Sequence, residues 1–399
     1  MTTRIAALAI ALVLTAVTAQ AQEVKVGVAL PYTGIGAEFA QLIDHGMELY
    51  LKLNADKVKP YKITLIRRDV KDPAGANAKI AVQELLTQDN IDVLAGWVYS
   101  PNAIASAPIV TAGKKLAVIM NAGTAHITTL SPYYVRTSFS MWHAGYSLGE
   151  AAAKTLGAKT AVVGYTDFPP GKDSLAAFKR SFEAAGGKVI DEIPMGGAAA
   201  VPDFTPFFQR AKDKKPDVFF VFVPAGDHAS AVVKTYAALG MRDAGIKLIG
   251  PGDITQDTKL QAMGPAAVGL ITMHHYNADL DNPENKRFVE AWKKEYGAAS
   301  TPDFMAVGGY DGMAAIVYVV QALKGKVDAD KALQALKDWK FNSPRGPISL
   351  DPVTRDIVMN EYLAEVVMGK DGRVTQKTIG KIDSVKDPCK EQKIGPCAK

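Results

Sequence analysis

The sequence predicts an α/β fold of two parallel-sheet lobes that close on each other as a clamshell. Three observations lead there. Strand-like and helix-like segments alternate from Glu23 onward, the alternation restarts near Thr160, and the last third supplies helices without strands of their own. Strands alternating with helices of this length imply right-handed βαβ crossovers and a parallel sheet covered on both faces.

Taken in order, residues 24–30 read as a first strand that stops at Pro31. Phe39, Leu42, Ile43, Gly46, Met47, Tyr50 and Leu51 then recur at helical spacing and form one apolar face. Strands over 62–67, 92–95 and 116–120 alternate with helices over about 76–88 and 102–112. A strand over 135–140 leads into a helix over 144–156. The second series opens with a strand over 160–165. Asp173 is the expected N-cap of the next helix, with Leu175, Phe178 and Phe182 inward and Gly186-Gly187 closing it. Strands follow over 188–193, 217–223, 247–250 and 269–273, with helices over 204–212 and 230–239 between them. The 217–223 segment is almost wholly apolar, as a strand buried on both faces should be.

Residues 283–296, with Phe288, Trp292 and Tyr296 buried, and residues 304–323 read as helices; 348–350 and 358–367 read as β segments. Helices without strands must pack on an existing sheet, so the chain should return to the first lobe and cross again. The expected division is a leader over 1–21, lobe 1 over 22–139, and lobe 2 over 140–275. Lobe 1 resumes over 276–345, lobe 2 with a hinge crossover over 346–385, and a tail covers 386–399.

The leader is read from its order of parts. Arg4 precedes an uncharged apolar run over 5–17, and Ala19-Gln20-Ala21 puts small residues at the cleavage positions. The run is too short to span a bilayer. No cysteine stands at the expected cleavage point, so no lipid anchor is expected. The remaining chain, about 378 residues, is long enough for two domains or more. No later segment is expected to span a membrane, so a soluble periplasmic product is expected.

The net charge of +5, from 46 basic and 41 acidic residues, is spread along the chain without a basic block, which argues against nucleic acid. Cys389 and Cys397 are the only cysteines, and an even count in an exported protein reads as a disulfide. So short a loop is worth about 2.5 kcal/mol at best. The bridge is expected to staple a peripheral tail and not to hold the core.

Ligands of open α/β sheets sit beyond the carboxyl ends of strands. Those ends are Pro31 to Phe39, Gly96 to Pro101 with Tyr99 and Ser100, and Asn121 to Ala125 with Ala122, Gly123 and Thr124 in the first lobe. The second lobe offers Tyr165 to Pro169 with Asp167, Pro224 to Asp227 with Ala225, and Gly252-Asp253. Hydroxyls and amides at helix starts suit a carboxylate, and aromatics would bury an apolar body. Tyr32, Trp97, Tyr99 and Trp142 are expected at loop tips, and His143 beside Trp142 is expected to line the pocket.

Gly34-Ile35-Gly36 followed by Phe39 imitates a dinucleotide fingerprint, but Phe stands where a small residue is needed. The adjacent His274-His275 pair cannot present both rings from one helical face to zinc. It follows a strand at an expected lobe crossover, which makes His275 a further lining candidate. No nucleophile elbow, catalytic triad, carboxylate pair, metal or cofactor is expected.

Val28-Ala29-Leu30-Pro31-Tyr32-Thr33-Gly34, the Ser100-Pro101 to Ala107-Pro108-Ile109-Val110 stretch, Asn121-Ala122-Gly123-Thr124-Ala125 and Tyr133-Tyr134-Val135-Arg136-Thr137 occur in that order after the leader. Together they resemble the Leu/Ile/Val-binding family of periplasmic proteins over nearly all of the mature chain. The resemblance implies two flavodoxin-like lobes with three crossovers, the type I periplasmic binding fold. It also implies hinge closure on a solute, no catalysis, and a monomer that delivers to the permease of an ABC importer.

Carried over by position, Ser100 holds a carboxylate, Ala122 and Thr124 assist, and Phe39 is the aromatic of the first glycine loop. The family tyrosine of the second lobe falls at Ala225, so that ring is missing. The acid for an α-ammonium falls at Gly252 or Asp253. The His274-His275-Tyr276 and Gly308-Gly309-Tyr310-Asp311 regions resemble importers of aromatic carboxylic acids. Two solute classes follow, aromatic or related carboxylates and branched or apolar amino acids. A sensing protein of the same fold without a transport role is the alternative.

Overall fold

Five parallel strands make the first sheet: β1 Gln22–Leu30, β2 Tyr61–Asp69, β3 Val93–Gly96, β4 Ala117–Ile119 and β5 Tyr134–Arg136, in the order β2-β1-β3-β4-β5. The computed structural model describes residues 22–398, so the expected leader lies outside the described residues. The second sheet repeats the plan with β6 Thr160–Tyr165, β7 Lys188–Pro194, β8 Val218–Phe222, β9 Lys247–Pro251 and β10 Ile271–His274, in the order β7-β6-β8-β9-β10. Counted along its own series, each sheet runs 2-1-3-4-5, the flavodoxin-like order. β8 has all five residues, Val-Phe-Phe-Val-Phe, buried, which fits a central strand packed on both faces.

The second sheet continues in antiparallel fashion. β11 Lys340–Ser343 pairs β12 Gly346–Leu350, and β12 pairs β13 Ile357–Met368. β13 pairs both β10 and β14 Val374–Val385. β11 and β14 were not expected from the sequence. β11 also begins before residue 346, so the strand hairpin straddles the boundary placed there.

The returning helices pack on the first lobe. Pro283–Tyr296 brings Tyr296 onto His45, with rings stacked at 3.9 Å, and the Tyr296 hydroxyl donates to the His45 carbonyl at 2.9 Å. Phe304–Ala322 lies against Ala37–Leu53 so closely that a Cβ on Gly46 would fall 2.0 Å from the Ala306 carbonyl oxygen, and one on Gly309 2.1 Å from that of Ile43. Only glycine fits either place. This helix is also the one among the described residues long and apolar enough to cross a bilayer, which corrects the expectation of none. It is apolar all round because it lies in the core, and Asp303 caps it by accepting from the Met305 and Ala306 amides.

Two buried arginines tie the crossovers together. Arg345, just before β12, donates to Asp311 at 2.7 Å and to the Ser138 and Thr137 carbonyls of the first crossover. Arg136 at the end of β5 donates to Asp356 at 2.6 Å and to the Thr124 carbonyl at 2.7 Å.

The Cys389–Cys397 disulfide is present. Its tail is not peripheral, contrary to expectation. Cys389 is fully buried, Trp142 packs against the tail, and the Lys390 ammonium reaches Asp356 and Thr128.

Asp173 is not an N-cap. Its helix starts earlier, at Pro169, where a proline is well tolerated, and Asp173 lies one turn inside. The run Gly145-Tyr146-Ser147-Leu148-Gly149 spells G-x-S-x-G, a pattern that forms a strand-to-helix elbow in hydrolases. Here it lies in the middle of the Met141–Lys154 helix, and its glycines admit the neighbouring Pro169–Ala184 helix.

Candidate functional site

A cavity lies between the lobes at the carboxyl ends of β3, β4, β8 and β9. About 410 Å³ there is free of protein atoms, counting the space open to solvent. Of the residues expected there, Phe39, Tyr99, Ser100, Gly123, Ala225 and Asp253 line it.

Tyr99 and Ser100 occupy the turn from β3 into the Ser100–Gly113 helix. Ser100 Oγ accepts the Thr124 amide N–H at 3.0 Å, which fixes the hydroxyl and leaves its proton free to donate into the cavity. Burial pushes the Tyr99 phenol up to about 12, so it stays protonated. Phe39 leans across from the first lobe, and its ring is the nearest neighbour of Gly226 on the second.

Ala122 and Thr124 do not line the cavity. Along the extended segment after β4, Asn121 and Gly123 face the solute space while Ala122 and Thr124 alternate inward. Ala122 joins the lobe core, and its amide donates to the Trp97 carbonyl at 2.9 Å. Thr124 acts behind Ser100, through its amide.

Trp142, His143, Tyr165, Asp167 and His275 also lie off the wall. Trp142 packs with Ala125, Ala177 and Cys389 under the tail. His143 caps its own helix, with Nδ1 3.1 Å from the Ser140 amide. Tyr165 is half-buried at the end of β6, and Asp167 pairs with Lys172 at 3.1 Å. His275 is buried behind Phe139, its ring stacked at 5.0 Å. The loop-tip expectation fails for Trp97 as well, which is fully buried, while Tyr32 donates to Asp44 at 3.2 Å.

The remaining wall was not singled out from sequence. Val98, Asn121, Phe168 and Pro224 sit in loops already flagged, beside chosen residues. Phe139 and Met141 come from the first crossover, and Met305 from the start of a distant helix, for which no local signal exists. The wall is therefore mostly rings, methionines and prolines. No lysine or arginine is among the described residues that line it.

Of Gly252 and Asp253, only Asp253 lines the cavity. A Cβ on Gly252 would fall 2.3 Å from His274 Cδ2, so the imidazole already fills that space. Asp253 faces the cavity, and its Oδ2 is buried without a partner. Burial pushes its carboxyl up to about 7. Burial, followed by the nearby Arg345 charge, lowers His274 to about 3, so that ring is neutral.

The lobes touch across the cleft. Asp173 accepts the Ala125 amide at 2.8 Å, Lys259 pairs with Glu38 at 2.6 Å, and Gln256 donates to Asp303 at 2.6 Å. No group of three or more metal-ligating side chains occurs among the described residues. The arrangement can enclose one small solute, present a hydroxyl donor to it, and exclude water.

A family model described as "Periplasmic binding protein" matches residues 23–373. A Brucella abortus protein named "Leu/Ile/Val-binding protein homolog 6" is 38% identical over 375 residues, 94% of this chain and 95% of the relative. A solute binding protein of an ABC transporter from Rhodopseudomonas palustris BisB5, in complex with 3,4-dihydroxybenzoic acid, is 44% identical. It superposes with a TM-score of 0.87 over 92% of this chain and 99% of its own. A second R. palustris solute binding protein, in complex with 4-hydroxybenzoate, is 36% identical with a TM-score of 0.86, covering 92% and 98%.

Proposed function

This chain belongs to the periplasmic binding protein family, and on that footing we propose that it captures an aromatic carboxylic acid between its lobes for an ABC importer. Export by the leader, closure on the solute and delivery to the permease complete the reading, with the chain acting as a monomer.

The observation that carries it is the make-up of the cavity wall. Rings and other apolar side chains surround the space, Ser100 offers a hydroxyl from the first lobe, and no cationic side chain lines it. Such a wall favours a flat apolar body with one anionic end held by neutral donors. The similar structures from R. palustris hold solutes of this shape.

A branched or apolar amino acid is the second reading. The Asp253 carboxyl could meet an α-ammonium, and the Brucella relative carries a Leu/Ile/Val-binding name. Against it, burial raises Asp253 to about 7, so ionising it to meet an ammonium costs part of what the pairing gains.

Native mass spectrometry of the purified protein, followed by a melting panel of aromatic acids and amino acids, tests the proposal. A micromolar solute at millimolar concentration should stabilise the fold by about 4 kcal/mol. The expected outcome is a shift with aromatic acids; a shift with amino acids alone would refute it.

A further inference from the structure

Two residues of the cavity wall keep a buried oxygen without a hydrogen-bond partner, Asn121 Oδ1 and Asp253 Oδ2. Buried polar atoms are rarely left unpaired, and those aimed into a ligand space mark where a ligand completes the bonding. The two are not equivalent. Asn121 donates its amide hydrogen to the Val98 carbonyl at 2.9 Å, which fixes its orientation, and it belongs to the first lobe beside Ser100. Asp253 belongs to the second lobe, at the carboxyl end of β9, in the turn Gly252–Thr255.

We infer that Asp253 is a specificity residue for a ring hydroxyl: its carboxyl reads a hydroxyl substituent from the second lobe while the first lobe holds the solute's carboxylate. Hydroxylated aromatic carboxylic acids are then the preferred class over their unsubstituted parents. The inference rests on the aromatic-acid reading above.

The chemistry favours this partner over others. A solute carboxylate and an ionised Asp253 enclosed together, with no lysine or arginine on the wall, would bury two like charges. A neutral carboxyl avoids that and can both donate to and accept from a phenol. Burial raises Asp253 to about 7 and so keeps it largely in that form below neutral pH. An apolar parent acid would instead close over an oxygen left bare, which a site built for a hydroxyl penalises. At position 252 a Cβ would meet the His274 ring at 2.3 Å, so of this pair only residue 253 offers a side chain to the space.

The test is calorimetric titration of the full mature chain with benzoate, 3-hydroxybenzoate and 4-hydroxybenzoate. The wild type should bind at least one hydroxylated acid roughly tenfold or more tighter than benzoate. Asp253→Ala should abolish that preference while changing benzoate affinity less than about threefold. Asp253→Leu, similar in shape and without polar atoms, gives the same expectation if the alanine variant does not fold. Equal affinity for all three acids in the wild type would overturn the inference and leave the aromatic-acid reading standing. So would a preference that survives both Asp253 variants, or one lost in Asn121→Ala while Asp253→Ala keeps it. Failure of all three acids to bind would overturn both.

Discussion

Asp173, one turn inside the Pro169–Ala184 helix of the second lobe, accepts the Ala125 amide N–H of the first lobe at 2.8 Å. Neither residue lines the cavity, yet the bond can form only when the lobes meet. We expect it to act as a latch when the lobes close on a solute. Asp173→Ala is expected to weaken solute binding by about 1–3 kcal/mol, without changing which solute is preferred. Calorimetry reads the affinity, and small-angle scattering should show a more extended unliganded molecule.

Ser100→Ala removes the hydroxyl that the Thr124 amide holds in place. We expect affinity to fall by roughly 1–3 kcal/mol with little change in the melting temperature of the unliganded protein. Titration beside a melting curve checks both; a large drop in melting temperature would make Ser100 a structural residue.

The pH dependence of binding separates the two solute classes. Burial raises Asp253 to about 7, so it is neutral below that and charged above. An aromatic acid is ionised above the ordinary carboxylate range, about 4. Its affinity should therefore be highest near pH 5–7 and should fall as pH rises through about 7. Neither Tyr99, held at about 12, nor His274, held at about 3, titrates in that window. Asp253→Asn should flatten the profile. An amino acid that needs the charged carboxylate would show the opposite slope and lose affinity in Asp253→Asn.

The two parallel sheets were legible because β-strands such as β8 and amphipathic helices such as Ala37–Leu53 follow from local periodicity. β14 was missed because its lysines and Asp383 break the apolar signal on an exposed strand. In the cavity, strand ends pointed to the correct loops, but not to the correct faces. Ala122 and Thr124 differ from Asn121 and Gly123 only by alternation along an extended segment, and that phase is set by packing against Trp97 and Arg136. Met305 comes from a helix far along the chain, and only the tertiary fold brings it to the wall.

The tail should matter more through its lysine than through its bridge. Replacing Cys389 and Cys397 with serine should cost about 2.5 kcal/mol at most. Lys390→Ala leaves Asp356 short of a buried partner and should cost about 3–5 kcal/mol. Burial pushes the Asp356 carboxyl up, but Arg136 and Lys390 together pull it down to about 2. Its contribution is therefore present above the unfolded value near 4 and is lost as pH falls toward 2. Urea unfolding at neutral pH and at pH 3 checks both the ranking and the sign.

On the reading proposed above, the space between the lobes takes an aromatic carboxylate and not an α-amino acid. Calorimetric titration of the mature protein with 4-hydroxybenzoate and with leucine, at pH 6.5, tests it most directly. We expect one-to-one binding of 4-hydroxybenzoate, at least tenfold tighter than leucine. Tighter binding of leucine, abolished in Asp253→Asn, would contradict it.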